Sequence, residues 1–347
     1  MIKAVNFSIT NACSADCVYC PKDRGESCGS RTMSLETFEL VLENIRNYGA
    51  RNRSFPEIVR LGENGDLFLN GEALKMLRRI RTVLPSASIE IYNHFRMISP
   101  AISDALLGEN LVDAVFSNVD GTERTYREVK KTDFDKSFAN LRYFIGKRAE
   151  TGKRVPISIR VMTLRYYSDV LRGNFGVKPA HVPGESLNET DDFPAVEKLL
   201  KGIIDPEMDR VGRTWPVLWA ERHNLADAAF REKDYSCPQL FKNRREIYVS
   251  PAGTWYLCCL DSRQELVIGD LTKTDVRTLM ESPERQKYLQ LLSKHEFSGI
   301  GGPCRTVHCC QVYSRYAFVS RLLRALTKYS SLAQLAFDRF HNEHAPQ

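Results

Sequence analysis

The chain has 347 residues, of which 43% are hydrophobic and 27% are charged, a composition that predicts a globular protein with a large core and excludes a disordered or fibrous chain. The 49 basic and 43 acidic residues leave a formal net charge of +6 without a polybasic run in the N-terminal and central regions, so nucleic-acid binding is not expected. No signal-peptide pattern and no apolar stretch of about 18 residues occurs, and we therefore expect a cytoplasmic protein.

Short β-rich runs alternate with longer helical runs from the N-terminus to about residue 225, an order typical of parallel βα units. Capping and breaking residues such as Ser34, Pro85 and Gly152 mark several boundaries. The segment 168–235 is assigned to the last barrel elements and a substrate-facing connection. The expected strands lie near residues 3–10, 57–61, 88–92, 112–117 and 155–162, and the expected helices near 34–48, 71–83, 100–108 and 134–150.

The pattern changes after residue 237. Two β-rich runs around the turn Pro251-Ala252-Gly253 predict a β-hairpin, and one helix is expected near 275–293. The whole sequence therefore predicts an α/β fold in three parts. These are a partial (β/α)6, TIM-like barrel over residues 1–225, a small cluster-binding module of β-hairpin and helix over 226–311, and a C-terminal amphipathic helix over 312–347.

The ten cysteines fall into two groups, and the 208 residues between Cys28 and Cys237 contain none. This spacing is unlike a disulfide framework, and ten thiols exceed what a cytosolic core normally holds. In a reducing compartment, clustered thiols indicate a metal. The groups are Cys13, Cys17, Cys20 and Cys28 near the start, and Cys237, Cys258, Cys259, Cys304, Cys309 and Cys310 near the end.

The first group places Cys13, Cys17 and Cys20 on one loop, with the spacing C-x3-C-x2-C, directly after the first strand. In barrels of βα units, that end of the strands carries the active site. Three thiolates can bind three irons of a [4Fe–4S] cluster and leave the fourth iron open, whereas a structural site needs four ligands. The alternatives are a zinc site completed by a distant residue and buried free thiols, and Cys28 is expected to be a small hydrophobic residue.

This spacing, with Tyr19 directly before the third cysteine, resembles the signature loop of the radical S-adenosylmethionine (SAM) superfamily. The resemblance extends over most of the chain. It implies that Cys13, Cys17 and Cys20 bind a [4Fe–4S] cluster whose open iron chelates SAM, and that Tyr19 lies near the adenine. It also implies that an electron from a donor such as flavodoxin or ferredoxin cleaves SAM to a 5′-deoxyadenosyl radical, which takes hydrogen from the substrate.

The second strand ends in Gly62-Glu63-Asn64-Gly65-Asp66, which resembles the Gly-Gly-Glu region of the same superfamily. The resemblance implies that the backbone at the two glycines and a carboxylate meet the ammonium group of SAM. Glycines let the backbone approach closely, and a carboxylate pairs with an ammonium ion. Either Glu63 or Asp66 could supply the carboxylate that pairs with the ammonium group. Without the other motifs, this segment would be interpreted as a turn.

Three later positions complete the resemblance. Asn93 follows the third strand, and Ser117 belongs to a Ser-x-Asp-Gly strand ending, so both are implied contacts to the ribose or carboxylate of SAM. Lys130 occupies the last position of a Tyr-x-x-x-Arg-like element, but a lysine lacks the bidentate fork of arginine. Each of these three positions could also be an ordinary strand end or helix cap. Together with the Gly62–Asp66 segment they make four motifs in the correct order, and these reinforce one another.

Around the predicted hairpin, Cys237, Gly253 and Cys258 have the spacing C-x15-G-x4-C, and further cysteines return after the helix. This resembles the SPASM/Twitch extension of radical SAM enzymes. Six cysteines fit a shorter, Twitch-like module with one auxiliary [4Fe–4S] cluster better than the seven-cysteine form. The implied ligands are Cys237, Cys258, Cys304 and either Cys309 or Cys310, with Cys259 as a spare or alternative ligand. A four-thiolate zinc site is the alternative.

An auxiliary cluster near the substrate, as the resemblance implies, favours a two-electron oxidation. We expect dehydrogenation of a hydroxylated small molecule such as a sugar or aminocyclitol, because the signature cysteines begin at residue 13 without room for a leader-binding domain. The alternatives are a peptide- or protein-modifying enzyme and a non-catalytic iron–sulfur or zinc scaffold. No residue stands out as the catalytic base, for which Arg160, Asp191 and Asp192 are candidates by position.

The tail has apolar residues at helical spacing beside basic ones, and residues 311–340 carry five basic and one acidic side chain. This pattern predicts an amphipathic helix that packs on the barrel or on a second copy, rather than on an anionic membrane. Deleting residues 312–347 is therefore expected to yield insoluble or unstable protein. Sedimentation with anionic liposomes provides the measurement, and binding by the intact protein while the truncated form stays folded would contradict the expectation.

Overall fold

The computed structural model describes residues 2–17, 20, 31–162, 193–214, 237, 239–302 and 304. Several predicted sites lie outside these residues, namely Tyr19, Cys28, Asp191, Asp192, Cys309, Cys310 and the tail 312–347. No helix in the described ranges is long and apolar enough to cross a membrane.

One nine-stranded sheet in the order β6-β5-β4-β3-β2-β1-β7-β8-β9 organises the described chain. Strands β1 to β6 are parallel, β7 pairs parallel with β1 on the side opposite β2, and β8 and β9 continue antiparallel. Since β6 and β9 lie at opposite edges, the sheet is open. The strands are β1 (Ala4–Phe7), β2 (Ile58–Leu61), β3 (Ser88–Tyr92), β4 (Ala114–Asn118), β5 (Ile157–Met162), β6 (Arg210–Thr214), β7 (Glu246–Val249), β8 (Thr254–Tyr256) and β9 (Val267–Asp270).

The helices begin and end at side chains suited to those positions. Ser34 and Asp133 accept hydrogen bonds from the first turns of α1 and α5, and α5 ends at Gly152 with φ of 64°. The described helices are α1 (Leu35–Asn52), α2 (Ala73–Val83), α3 (Pro100–Gly108), α4 (Glu123–Lys130), α5 (Phe134–Thr151), α6 (Phe193–Leu200), α7 (Leu240–Asn243), α8 (Val276–Met280) and α9 (Pro283–Lys294).

The parallel strands separate an apolar face from a polar face. Successive side chains of a strand point to opposite sides, and in β2, β3 and β4 buried residues alternate with partly buried ones. Val59 and Ile89 belong to the core with the helices, whereas Arg60 and Glu90 lie on the other side in register with each other. We call this second, polar side the inner face; it is the concave side of the partial barrel.

The α/β class and the open, partial barrel are confirmed, and the expected strands and helices before residue 162 are present within a few residues of the predicted bounds. The helix expected near 275–293 is wrong as a single element. Ser282 caps a new helix with Pro283 at its first position, so α8 and α9 are separate. Helix α4 and strand β9 were not predicted, because both are short.

The sequence also did not predict that the barrel and the C-terminal module share one sheet. Strand β7 of the C-terminal module lies beside β1 of the barrel, with Asn6 in register with Tyr248. Because β7 is parallel to β1, the hairpin turn lies at the same edge of the sheet as the signature loop. Strand β8 runs antiparallel to β7, so Cys258 lies toward the amino ends of β1 and β7, at the opposite end from the signature loop. Residue patterns within each element do not contain this information.

Candidate active site

The signature loop follows β1 and is held by backbone hydrogen bonds from three directions. The amide of Asn11 donates to the carbonyl of Arg31, and the amide of Asp66 donates to the carbonyl of Ala12 at 2.8 Å. On the far side, the amide of Asp16 donates to the carbonyl of Lys130 at 2.9 Å. The loop is therefore tied to the ends of β2 and α4 before any cofactor contributes.

The three signature thiols lie close enough to influence one another. Burial, with smaller contributions from Asp120 and from the thiols of Cys20 and Cys13, raises the pKa of Cys17 to about 11, and the ammonium group of Lys130 opposes the rise. Among the described residues, the donor set of the loop is three thiols, which fits a cluster with an open iron. In the described ranges no three Cys, His, Asp or Glu side chains are already spaced to hold a metal, so cluster assembly would draw the thiols together.

Gly62 and Gly65 both lie where a side chain has no room. A Cβ atom on Gly62, whose φ is 92°, would stand 2.3 Å from the carbonyl oxygen of Tyr92. One on Gly65 would stand 2.4 Å from the carbonyl oxygen of Thr10 and 2.8 Å from that of Ala12. The glycines thus let the end of β2 pack directly against β3 and the signature loop.

Asp66 connects the signature loop to the third strand. Its carboxylate accepts a hydrogen bond from the hydroxyl of Ser14 at 2.6 Å and one from the side-chain amide of Asn93 at 2.9 Å. Asp66 and Asn93 are both buried. Of the two carboxylates left open by the sequence, Asp66 is the one beside the signature loop.

His94 completes this network as a neutral ring. Its Nε2 atom lies 3.1 Å from the hydroxyl of Ser14, and burial, together with the charges of Lys130 and Arg96, lowers its pKa to about 3. Its Nε2 is 3.9 Å from the carboxylate of Asp66, but an uncharged ring forms no ion pair there. Neither Ser14 nor His94 was predicted, although the position of Ser14 between two signature cysteines was visible in the sequence.

Lys130 is engaged in a buried ion pair. Its ammonium group lies 3.1 Å from the carboxylate of Asp120, and both side chains are almost fully buried. The charges of Asp120 and Cys17 raise the pKa of Lys130 despite its burial. The structure therefore places Lys130 beside the signature loop, with its ammonium group paired to protein.

Ser117 lies differently from the expectation that it contacts SAM. It is buried on the helix side of β4, and its hydroxyl has no hydrogen-bond partner among the residues that the structure describes. The period of two along the strand puts Asn118, not Ser117, on the inner face. A contact between Ser117 and SAM stays a prediction.

A polar network fills the lower part of the inner face. Glu246 on β7 accepts hydrogen bonds from Asn6 at 3.1 Å, from Arg60 at 3.1 Å and from Tyr248 at 2.9 Å. The guanidinium of Arg60 also pairs with Glu90 at 2.8 Å. Residues of β1, β2, β3 and β7 are thereby joined beneath the strand ends.

The upper part of the inner face is polar as well. The hydroxyl of Tyr256 on β8 lies 3.0 Å from that of Ser8 and accepts from the side chain of Asn64 at 2.8 Å. Arg160 on β5 lies over the ring of Phe116, which itself stacks on Tyr92. These groups surround a region next to the signature loop that is suited to a polar molecule.

Glu63 is not part of the Asp66 network, and it lies near charged groups of both parts of the inner face. Burial raises its pKa to about 7, and the cationic side chains of Arg60, Lys242 and Arg160 act in the opposite direction. A carboxylate so placed changes charge near neutral pH. The two acidic residues of one motif therefore occupy different environments.

In the C-terminal module, Cys258 and Cys304 are both buried, and Cys237 packs at the edge of the same core. Burial, together with the neighbouring thiols of Cys259 and Cys304, raises the pKa of Cys258 well above its usual value. Cys259 packs against the same core, and burial and then Glu63 raise its pKa to about 12, while a hydrogen bond with Tyr248 lowers it. The adjacent cysteines thus have different neighbours.

This difference predicts unequal roles for the pair. Replacing Cys258 by alanine is expected to remove the auxiliary cluster, about four irons per chain, and to destabilise the module, because a cluster held by four thiolates also stabilises the fold. Cys259→Ala is the matched control and should keep full iron content. Iron and sulfide analysis with thermal unfolding measures both, and equal iron loss in the two variants would contradict the assignment.

Comparison with known proteins agrees with this arrangement. The family model for SPASM, described as an iron-sulfur cluster-binding domain, matches residues 237–311. A comparison with curated proteins returned no match.

Several solved structures share the fold. A hexahistidine-tagged form of anSMEcpe with bound AdoMet is 15% identical, with 99% of this chain and 100% of that chain covered at a TM-score of 0.53. SuiB of Streptococcus suis bound to the precursor peptide SuiA is 12% identical, with coverage of 90% and 76% and a TM-score of 0.53. BtrN in complex with AdoMet and 2-DOIA is 10% identical, with coverage of 86% and 90% and a TM-score of 0.49.

The fold and the site define a class: an open parallel barrel with a three-cysteine loop after β1 and an iron–sulfur module on the neighbouring strand. The chain has the fold of the radical SAM enzymes and carries a SPASM domain. The resemblance stated from the signature loop and the hairpin cysteines is confirmed at this level.

Proposed function

We propose that this protein is a radical SAM oxidoreductase that abstracts hydrogen from a hydroxylated small molecule and completes a two-electron oxidation. Cys13, Cys17 and Cys20 would hold the first [4Fe–4S] cluster with SAM on its open iron. Cys237, Cys258 and Cys304, with Cys309 or Cys310, would hold one auxiliary cluster. When bound, the first cluster and SAM supply a 5′-deoxyadenosyl radical, and a flavodoxin or ferredoxin would supply the electron.

One observation carries this proposal. Cys258 lies in the buried core of the module, and its neighbour Cys259 packs against that core near enough to Glu63 for the carboxylate to raise the pKa of its thiol. An auxiliary cluster on Cys258 would therefore stand at the rim of the polar region that the signature loop also borders. This position suits a group that accepts one electron from a substrate held between the two cysteine sets.

The polar lining favours a small hydroxylated substrate. Carboxylate, guanidinium and hydroxyl groups converge on the inner face from four strands, and such groups exchange hydrogen bonds with several hydroxyls of one compact molecule. A sugar or an aminocyclitol has this character.

A peptide or protein substrate is the second candidate. It is favoured by the fold shared with anSMEcpe, which has been solved with a bound Kp18Cys peptide, and with SuiB bound to its precursor peptide. The two candidates predict different products, namely a ketone on a small molecule or a mass loss or crosslink in a peptide.

Anaerobic reconstitution tests the proposal. We expect about eight irons per chain for two clusters, and 5′-deoxyadenosine on addition of dithionite and SAM. Incubation with scyllo-inosamine, myo-inositol and D-glucosamine then tests the substrate class by carbonyl trapping and mass spectrometry. Zinc in place of iron, or no 5′-deoxyadenosine, would refute the enzyme class, and modification only of peptides encoded beside the gene would refute the small-molecule class.

A further inference from the structure

We infer that His94 is a positioning residue of the active site, which acts through the hydroxyl group of Ser14 to hold the signature loop and the carboxylate of Asp66 in the arrangement that receives SAM. The SAM part of this role rests on the proposed function. The hydrogen bonds that carry the role are formed within the protein chain. Neither residue belongs to the cysteine motif.

The directions of these hydrogen bonds follow from counting protons. A carboxylate only accepts, so the single proton of the Ser14 hydroxyl is donated to Asp66, at 2.6 Å. The contact of 3.1 Å between the same hydroxyl oxygen and Nε2 of His94 then requires a proton on that ring nitrogen. His94 therefore donates to Ser14 and directs the hydroxyl proton of Ser14 toward Asp66.

Ser14 is the residue through which this contact reaches the signature loop. It lies directly after Cys13, and its carbonyl oxygen accepts a hydrogen bond from the hydroxyl of Thr132 at 3.2 Å. Its side chain is held by residues that follow β2 and β3, namely Asp66 and His94. The loop is thus held from both sides at Ser14, so a displacement of Ser14 would also displace Cys13.

The same hydroxyl group fixes the direction of the Asp66 carboxylate. The other carboxylate oxygen accepts from the side chain of Asn93 at 2.9 Å, and the Asp66 amide donates to the loop carbonyl of Ala12. The Asp66 side chain is fully buried, and a buried carboxylate needs such donors. Because these donors are supplied by the protein, the carboxylate does not have to be ordered when SAM binds.

The backbone that carries His94 is held in an uncommon conformation. Phe95, the next residue, has a φ of 62°, which is rare for a bulky side chain. Its amide donates to the side chain of Asn93 at 2.6 Å, and its carbonyl accepts from Asn140 of α5 at 2.9 Å. Its ring packs edge-on against Phe144. Strain of this kind persists where the surrounding contacts over-determine it, and it is concentrated at functional sites.

Equilibrium binding of SAM to the reconstituted enzyme without a reductant, measured by anaerobic calorimetry, tests this role. His94→Leu removes the donor, and the Kd for SAM should rise roughly 10-fold, the effect of losing one hydrogen bond in a buried network. His94→Gln supplies an amide N–H at the same number of bonds from the backbone and should keep the Kd within about 3-fold of the wild type. His295→Leu, after α9, is the control and should leave the Kd unchanged.

The double variant Ser14→Ala with His94→Leu tests whether the two side chains act as one unit. Ser14→Ala alone should resemble His94→Leu. If His94 acts through Ser14, the double variant should bind SAM at most about 3-fold more weakly than either single variant, whereas independent effects would multiply to roughly 100-fold. The KM for SAM should rise with the Kd, and 5′-deoxyadenosine formation at saturating SAM should change by less than about 3-fold.

Hydrogen exchange of the signature loop needs neither SAM nor its cleavage. The amide of Asp16, which donates to the carbonyl of Lys130, should exchange roughly 10-fold faster in His94→Leu and in Ser14→Ala than in the wild type, and His94→Gln should exchange as the wild type does. If the wild type neither binds nor cleaves SAM while this pattern holds, the proposed function and the SAM part of the inference fail, and the hold of His94 on the loop stands.

Three results would overturn the role of His94 in an enzyme that binds SAM. These are a Kd and an exchange rate in Ser14→Ala equal to those of the wild type, a Kd in His94→Gln as high as that in Ser14→Ala, and effects of the two residues that multiply in the double variant. The comparison of His94→Gln with Ser14→Ala decides the question even where His94→Leu does not fold.

Discussion

Replacement of Cys13, Cys17 and Cys20 together by alanine is expected to abolish 5′-deoxyadenosine formation while the C-terminal cluster stays in place. The three thiols lie on one loop after β1, whereas the described cysteines of the second group lie before α7, after β8 and after α9, so the two ligand sets share no residue. Iron should fall by about four per chain, and SAM cleavage should fall to background.

The measurement is iron and sulfide content with a quantitative assay for 5′-deoxyadenosine after anaerobic reconstitution. Cys28→Ala is the matched control, because it removes the remaining cysteine of the N-terminal group and should change neither quantity. Continued SAM cleavage by the triple variant would show that the signature loop is not the site of chemistry. Loss of all iron would show that the two clusters do not assemble independently.

A second large effect is expected at the buried ion pair of Lys130 and Asp120. Lys130→Met leaves the carboxylate of Asp120 buried without its charged partner, which typically costs about 3–5 kcal/mol of the free energy of unfolding. SAM cleavage should fall as well, because the substitution removes the positive charge that Lys130 places near Cys17 of the signature loop.

The double variant Asp120→Leu with Lys130→Met separates structural from cofactor-binding roles. Removing both charges avoids the unpaired carboxylate, so the double variant should be more stable than the single one. Lys136→Met, on an exposed position of α5, is the control and should change stability by no more than about 0.5 kcal/mol. Urea unfolding gives these values, and wild-type stability with a raised KM for SAM in Lys130→Met would instead make Lys130 a cofactor contact.

Much of the fold could be predicted because the patterns are local. The strands and helices before residue 162 follow from alternating and helical periodicities, and the boundary residues Ser34 and Gly152 lie at the observed ends of α1 and α5. The break between α8 and α9 was missed although Ser282 and Pro283 form a typical helix start. There the continuous helical periodicity outweighed the capping residues in the prediction.

The site was predicted less completely, because residues of the same type lie in different environments in the folded chain. Glu63 and Asp66 are equivalent in the motif, but one faces a polar lining and the other joins the signature loop to β3. Ser117 has the residue type of a contact and lies on the helix side of its strand. Cys258 and Cys259 are neighbours in sequence and face different environments.

By itself, the sequence determined the two cysteine groups, the order of βα units and therefore the class of fold. The spacing of thiols along a loop and the periodicity along an element are properties of consecutive residues. They can therefore be recognised without knowing which residues are close in space. Tertiary structure alone decided that β7 pairs with β1, which of two acids supports the signature loop, and that Lys130 is matched by Asp120. Strand pairing and burial depend on residues far apart in the chain, and burial is what shifts the pKa of Glu63 into the range where it can exchange a proton.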